Sequence, residues 1–285
     1  MRMDAGTGVV GLIGHPVGHS KSPEMMNRAF RALGLPFVYL AFDVSPAELG
    51  TAVRGMRALG FRGWNVTIHH KVAVLEHLDE VEETAREIGA VNTVVAREGR
   101  LVGYNTDGEG YLRSLVDETG LDLVEQKVLI LGAGGAARAV AHALAGAGVK
   151  SITIANRTRE KAERLAASLR KGDARAVSLS EVERVIGETT LLVQTTSVGM
   201  YPETEAIPID PSLLHERMTV SDLIYRPRKT LLLREAEARG ARIHGGLGML
   251  LHQAALAFEK WMGKPAPVDV MREALEEAMK SVGGG

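Results

Sequence analysis

Residues 127–158, KVLILGAGGAARAVAHALAGAGVKSITIANRT, constrain the fold more than any other stretch of the chain. An apolar run, 128–131, leads into a glycine turn, Gly132-Ala133-Gly134-Gly135-Ala136-Ala137. An Ala-rich segment of helical composition follows, closed by Gly146 and Gly148, and then a second apolar run, 152–155. Strand, turn, helix, strand is a βαβ unit, and this one carries G-x-G-x-x-A. Each small residue has a steric task. Gly132 permits the tight turn, Gly134 lets backbone approach a pyrophosphate, and Ala137 lets the helix pack close to the strand. The helix start then offers unpaired N–H groups and its positive dipole end to phosphate. The unit predicts dinucleotide binding at this turn.

The end of the second strand predicts which dinucleotide. For NAD a carboxylate is expected there, accepting from the ribose 2′-OH. The sequence instead reads Asn156-Arg157-Thr158-Arg159, with Lys161 close behind. Cations and hydroxyl or amide donors suit a 2′-phosphate, so NADP is the expected cofactor. A helix N-cap at Thr158 and a solvated face for the arginines are compatible with the same residues.

Bulk properties narrow the setting. The 285 residues suffice for two ordinary domains. A net charge of −1, with no basic run interleaved with aromatics, predicts no nucleic-acid partner and no attraction to membrane surfaces. Cysteine is absent, which removes disulfides, thiolate metal sites and Cys nucleophiles together. No apolar signal segment opens the chain. A cytoplasmic enzyme is expected. The long weakly polar stretch 128–149 holds Arg138 and His142, and reads as buried α/β rather than a membrane span.

Around the dinucleotide unit, apolar periodicity predicts an α/β chain throughout. Strands are expected at 9–13, 37–42, 63–68, 91–96 and 100–102, the last two as a hairpin across Arg97-Glu98-Gly99. Ser22 reads as an N-cap with Pro23 at the first helical position, opening a helix to about Leu33. Ser45-Pro46-Ala47-Glu48 reads as a capping box. Helical stretches are expected up to Ile88 and over 106–119, and 120–126 reads as a linker. Beyond the βαβ unit, strands are expected at 174–177, 191–194, 219–223 and 241–244, with helices at 159–169 and 230–239. Two closing helices, 246–262 and 268–280, have no strand partner left in the second domain, so a return to the first is one option for them. The tail 283–285 is expected to be disordered.

Polar clusters fall mostly at strand C-terminal ends or helix starts, where open α/β sheets bind ligands. They are His19-Ser20-Lys21-Ser22, Asn65 through Lys71, Asn92, Asn105-Thr106-Asp107-Gly108, Asp222 through Pro227, and Gly248 through Gln253. Strand alternation puts Asn65 and Thr67 on one side. A lysine in water holds its proton at neutral pH, but beside a carboxylate in a closed cleft Lys71 could serve in proton transfer, with Asp107 as the natural partner. Asp107 also suits a helix N-terminal charge, and Ser22 an N-cap. Ser20, Ser22, Asn65, Thr67 and Asn92 make a set suited to a polyol or carboxylate. His69 and His70 are adjacent, point apart, and lack further ligand spacing, so no metal is expected. No nucleophile elbow is present.

These motifs resemble the shikimate dehydrogenase family. The matches are Ser20-x-Ser22-P, N-V-T-x-x-x-K at 65–71, G-A-V-N-T at 89–93, Y-N-T-D-G at 104–108, G-A-G-G-A-A at 132–137, N-R-T at 156–158, D-x-x-Y-x-P at 222–227 and G-x-x-M-L-x-x-Q-A at 246–254. They stand in family order and span nearly the whole chain. The resemblance implies NADP-dependent interconversion of shikimate and 3-dehydroshikimate, within chorismate and aromatic amino-acid biosynthesis. It implies two domains with the substrate in a cleft between them: an N-terminal α/β substrate domain with a mainly parallel sheet, residues 1–110 plus 246–285, and a Rossmann-like NADP domain, 111–245.

Carried over residue by residue, Lys71 and Asp107 are the catalytic pair. Ser20 and Ser22 hold the substrate carboxylate, with Tyr225 at that end. Asn65, Thr67, Asn92, Asp107 and Gln253 complete the substrate set. Gly132, Ala133, Gly134, Gly135, Ala136, Asn156, Arg157, Thr158 and Lys161 hold NADP, with Leu223 and Gly246 beside the nicotinamide. Three positions depart from the family pattern: His69 stands for Pro, Gln194 for Asn, and Arg226 for Asn. The competing readings are a shikimate/quinate dehydrogenase that also uses NAD, and a non-catalytic ligand-sensing protein. Monomer and homodimer are both left open.

Overall fold

The structure, a computed structural model, describes residues 4–67 and 69–280. Ile68, at the end of the expected third strand, and the glycine tail 283–285 lie outside the described residues. The chain divides into two compact units: Met1–Thr106 with Leu251–Gly285, and Asp107–Leu250.

The first unit alternates β1 (Gly8–Gly14), α1 (Ser22–Ala32), β2 (Phe37–Asp43), α2 (Leu49–Ala58), β3 (Gly63–Val66), β4 (Glu80–Val81), α3 (Glu83–Ile88), β5 (Thr93–Arg97) and β6 (Arg100–Tyr104). Its sheet runs β2-β1-β3-β5-β6-β4. β1 pairs parallel with β2 and β3, and β4 parallel with β6, whereas β5 is antiparallel to both neighbours. The β5–β6 hairpin turns across Glu98 and Gly99, both at positive φ, as the sequence predicts. On α1, Met25, Met26, Ala29 and Phe30 are fully buried, a spacing that lays one helical face on the core.

The second unit contains α4 (Asp107–Thr119), β7 (Lys127–Leu131), α5 (Gly135–Gly146), β8 (Ser151–Asn156), α6 (Arg159–Ser168), β9 (Asp173–Ser178), α7 (Val182–Ile186), β10 (Leu191–Gln194), β11 (Thr219–Asp222), α8 (Leu231–Ala238) and β12 (Arg242–His244). Its sheet is parallel at every pairing, in the order β12-β11-β10-β7-β8-β9. The order reverses between β7 and β10, the switch point of a doubly wound fold. Strands buried on both faces explain the continuous apolar runs that made them readable. The stretch 120–126 joins α4 to β7 inside this unit, with Leu121 and Leu123 packed on its core.

The chain ends with α9 (Leu247–Met262) and α10 (Val268–Lys280). From Leu251 onward they belong to the first unit, where α10 lies on α1 and Arg28 pairs with Glu277 at 2.6 Å. Trp261 is seated against Gly63: a Cβ there would lie 2.4 Å from its ring nitrogen, which donates to Val94 O.

Three local expectations are corrected. Ser22 opens α1 but makes no cap, since the N-cap residue is Lys21. Ser45 holds the N-cap position of a short 3-10 turn yet makes no side-chain cap bond, so Pro46 alone starts that turn. The expected helix leading to Ile88 is interrupted, because Glu80 and Val81 pair with Val102 and Gly103, and only Glu82, capping Ala85 N, starts α3. Among the described residues no helix is long and apolar enough to cross a membrane.

Candidate active site

Pairing in the first unit gathers its polar clusters at one sheet edge. β1 and β3 run parallel, so the loops after Gly14 and Val66 leave at the same end. β5 runs against β3 with Asn65 opposite Thr93, and β6 ends at Tyr104, opposite Thr93 again. Asn92 and the stretch Asn105-Thr106 therefore join that edge. The first two loops are pressed together at Gly14, where a Cβ would lie 2.4 Å from Thr67 Cγ2 and 2.9 Å from Val17. Only glycine fits between them.

Beneath this edge runs a buried chain of hydrogen bonds. Tyr39 donates to Asn65 Oδ1 at 2.8 Å. Asn65 Nδ2 donates to Thr93 Oγ1 and to Asn92 O, both at 3.1 Å. Thr93 donates to Asn92 Oδ1 at 3.0 Å, and Asn92 Nδ2 donates to Thr106 Oγ1 at 2.9 Å. Thr106 then donates to Gln253 O at 3.0 Å, while Asn92 also reaches Gln253 Oε1 at 3.4 Å. The Ser22 hydroxyl joins at Tyr39, whose phenol is pushed well above its ordinary pKa by burial, with the Ser22 bond opposing. Asn65, Asn92, Gln253 and Ser22 are thus brought together. The hydroxyl of Ser22, spared from capping, faces this network instead.

Ser20 lies half-buried just before α1, its Oγ accepting from Ser22 N at 3.3 Å. Lys71 is half-buried, and its carbonyl accepts from Val91 N at 2.8 Å. Its loop is pinned by His70, which is buried and bonds Val44 O at 2.7 Å through Nε2. His70 N closes a turn onto Thr67 O at 3.1 Å. His69, third in that turn, has φ 70° and is exposed. Proline, fixed near φ −65°, cannot take that backbone. The proline that the resemblance leads one to expect here would need a different turn just before Lys71.

The second unit holds the remaining sites. Asp107 is its first residue, the start of α4, and only 3% exposed. At the switch point, Gly132 has φ 111°, and a Cβ on it would sit 2.5 Å from Thr195 Oγ1. Here glycine is required twice over. Gly134 precedes α5, no side chain caps that helix, and a Cβ on Gly134 would meet nothing within 4 Å. The first N–H groups of α5 therefore have no intrahelical partner, and Gly134 before them leaves room for close approach to the backbone. These features fit the phosphates of a dinucleotide.

At the end of β8, Asn156 Nδ2 donates to Thr158 O at 2.8 Å. Thr158 occupies the N-cap position of α6 without a side-chain cap bond. Arg159 is engaged by Glu163 at 3.0 Å and Glu181 at 3.2 Å. Arg157 and Lys161 are exposed, and no carboxylate stands at the strand end. The donor set fits a 2′-phosphate.

Leu223 and Gly246 meet: a Cβ on Gly246 would lie 2.1 Å from Leu223 O. Asp222, 1% exposed, braces that turn by accepting from Ile224 N at 3.0 Å and Thr230 Oγ1 at 2.7 Å, and burial pushes its carboxyl up to about 6. Burial also raises the Tyr225 phenol, against a smaller lowering from Arg226. Arg226 stacks its guanidinium 4.0 Å over the Tyr201 ring. Gln194 is fully buried, accepting from Thr196 N and donating to Val198 O, both at 3.1 Å, so it knits the loop after β10.

Comparison with known proteins decides the family. Residues 12–94 match the shikimate dehydrogenase substrate binding domain, 114–203 the shikimate / quinate 5-dehydrogenase model, and 246–276 the shikimate 5′-dehydrogenase C-terminal domain. The NADP+-dependent shikimate dehydrogenase of Methanopyrus kandleri is 54% identical, over 98% of both chains. The chain belongs to the shikimate dehydrogenase family. Solved members of the family share its architecture. A shikimate dehydrogenase in complex with NADP+ superposes with TM-score 0.90 at 42% identity, over 98% of both chains. The Thermus thermophilus enzyme, in complex with NADP(H) and shikimate, gives TM-score 0.86 at 42% identity, over 95% of this chain and 99% of that one. The α/β fold with an N-terminal substrate domain and a Rossmann-like NADP domain is the fold of this chain.

Sequence reasoning missed Tyr39 and Thr93 in the polar chain, and named Thr106 only as a member of the Asn105-Thr106-Asp107-Gly108 cluster, with no role of its own. Thr93 and Thr106 lie inside matched motifs, so their signal was position alone. Tyr39 sits mid-strand, and only its pairing across the fold with Asn65 distinguishes it from core filling.

Proposed function

We propose that the chain is an oxidoreductase that reversibly reduces 3-dehydroshikimate to shikimate with NADPH, in aromatic amino-acid biosynthesis and in the cytoplasm. The observation that carries this reading is 54% identity to an NADP+-dependent shikimate dehydrogenase over 98% of both chains. The first unit takes the substrate and the second the cofactor. NADP, when bound, supplies the nicotinamide C4 that accepts or donates hydride. Backbone N–H groups from Gly132 to Ala136 hold its phosphates. Asn156, Arg157, Thr158 and Lys161 hold the 2′-phosphate, and Leu223 with Gly246 offers backbone to the nicotinamide.

Ser20 and Ser22 bind the substrate carboxylate, helped by Tyr225. Thr67, Asn92, Gln253 and Asp107 bind ring hydroxyls. Asn65 contributes the lone pair that its bonds leave free, and it orients Asn92. Lys71 takes the proton from the C3 oxygen as the alcohol is oxidised, and returns it on reduction; Asp107 holds the same oxygen and offsets the charge on Lys71. Absence of a nucleophile elbow accords with hydride transfer rather than acyl chemistry.

The test is NADPH absorbance on mixing the enzyme with shikimate and NADP+, followed by kcat/KM for shikimate and quinate with each cofactor. The highest value is expected for shikimate with NADP+. A preference for quinate or NAD would overturn the reading, as would no turnover.

A further inference from the structure

The second unit contains a buried polar chain that the mechanism above does not use. Tyr111 donates to Ser221 Oγ at 3.2 Å. Ser221 Oγ lies 2.8 Å from His244 Nδ1, and His244 Nε2 lies 2.8 Å from Ser114 Oγ. Ser114 donates to Glu118 Oε1 at 3.1 Å. Tyr111, Ser114 and Ser221 are 0% exposed and His244 is 2% exposed. Counting protons fixes every direction. A carboxylate accepts, so the one proton of Ser114 goes to Glu118. Ser114 must then accept from Nε2–H of His244. The neutral ring accepts at Nδ1, so Ser221 donates there and accepts from Tyr111.

Asp107, Tyr111, Ser114 and Glu118 are spaced four, three and four residues apart, along one face of α4. The chain ties that face to β11 through Ser221 and to β12 through His244. The same face admits no slack: a Cβ on Gly248 would lie 2.2 Å from Ser114 Oγ and 2.0 Å from Glu118 Oε1. Against α5, a Cβ on Gly108 would lie 2.7 Å from Ala139 O. Tyr111 also meets the His244 ring edge-on, with centroids 6.0 Å apart. We propose that His244 is a positioning residue, fixing the rotation of α4 and thereby where Asp107 stands. The inference rests on the role assigned to Asp107 above. Burial lowers the His244 pKa to about 4, which keeps the ring neutral and able to hold both serines in opposite roles.

The experiment combines His244→Phe and Asp107→Asn, singly and together, in steady-state assays with shikimate and NADP+. In the native background His244→Phe is expected to lower kcat by about tenfold, with both KM values within about twofold, because a misplaced group loses transition-state contacts first. In the Asp107→Asn background the same substitution should cost less than about twofold, since the residue it positions is gone. Equal losses in the two backgrounds would overturn the inference and leave His244 a structural residue. An Asp107→Asn enzyme with native turnover would overturn the assignment of Asp107, and the inference with it. Nitrogen NMR of the intact native enzyme is independent of whether His244→Phe folds. A neutral ring protonated at Nε2 is expected at neutral pH; an imidazolium or an Nδ1–H ring would overturn the chain's direction.

Discussion

Each unit buries a directional chain of hydrogen bonds, and the two differ in what they are made of. The first unit's chain, from Tyr39 through Asn65, Thr93, Asn92 and Thr106 to Gln253, uses amides, hydroxyls and a phenol whose ionisation burial suppresses. The second unit's chain passes through an imidazole. The first should therefore be indifferent to pH from about 8 down to about 4, and the second should not be so below about pH 6.5. The difference teaches where each unit tolerates charge: the polar groups at the first unit's sheet edge rest on neutral supports, while an ionisable support, His244, lies within the sheet of the second.

The largest expected effect concerns the chemistry supported by the first chain. Lys71→Ala should lower kcat by about 10²–10⁴-fold with little change in shikimate affinity, the range for removing a positioned proton-transfer group. Near-native turnover would remove Lys71 from the mechanism.

Next is the chain itself. Asn65→Leu strips partners from Tyr39 OH, Thr93 Oγ1 and Asn92 O at once. Each keeps a second partner, Ser22 for Tyr39, Asn92 Oδ1 for Thr93 and Val66 N for Asn92 O, so the loss of three buried bonds should cost about 1–3 kcal/mol in urea denaturation, and about the same amount at pH 5 as at pH 8. A loss that varies steeply with pH would contradict its neutral character.

The second unit should respond in the opposite way. His244 has its pKa depressed to about 4, so the unfolded chain takes up a proton near pH 6.5 that the native ring refuses; its stabilising contribution is full above pH 6.5 and falls by about 3 kcal/mol as pH drops to about 4. Asp222, raised to about 6, works against it: the native carboxyl binds a proton below about pH 6 that the unfolded chain refuses until about 4, so stability rises by about 3 kcal/mol over that descent. The two nearly cancel. His244→Phe should expose the Asp222 slope, stability increasing from pH 6.5 to 4, and Asp222→Asn should expose the reverse. Parallel pH profiles for the two variants would show that neither group titrates as its surroundings dictate.

The smallest effect compares two turns. Both units need a positive φ beside their site, supplied by Gly132 at 111° and by His69 at 70°. Only His69 carries a Cβ in that conformation. His69→Gly should raise stability by about 1 kcal/mol and His69→Pro should lower it, read as shifts in Tm. Stabilisation by proline would mean that the turn does not hold this backbone in solution.

The ease of reading the sequence also differed between units. In the second unit, two-sided burial makes strands such as 191–194 continuous apolar runs, and the glycine turn announces itself. In the first, β4 is two residues long and exists because Val81 finds Gly103, a partner with no local signal. The capping expectation at Ser22 failed because a hydroxyl beside a helix start has other partners to choose; Ser22 took Tyr39, on the strand after its helix, whereas Ser45 keeps the N-cap position without a side-chain cap bond. Motif residues such as Asn92 were readable as polar groups at a sheet edge. The chain through Tyr111, Ser114, Ser221 and His244 was not, since its members join residues 110 and 130 positions apart.

Along the neutral chain, the hydroxyls of Tyr39, Thr93 and Thr106 belong to residues at most 1% exposed, and each is committed as a donor. Hydroxyl protons held this way trade places with water only when the sheet edge opens. Their resonances should therefore persist in proton spectra where surface hydroxyls vanish, and their disappearance on warming would time the breathing of that sheet edge from within.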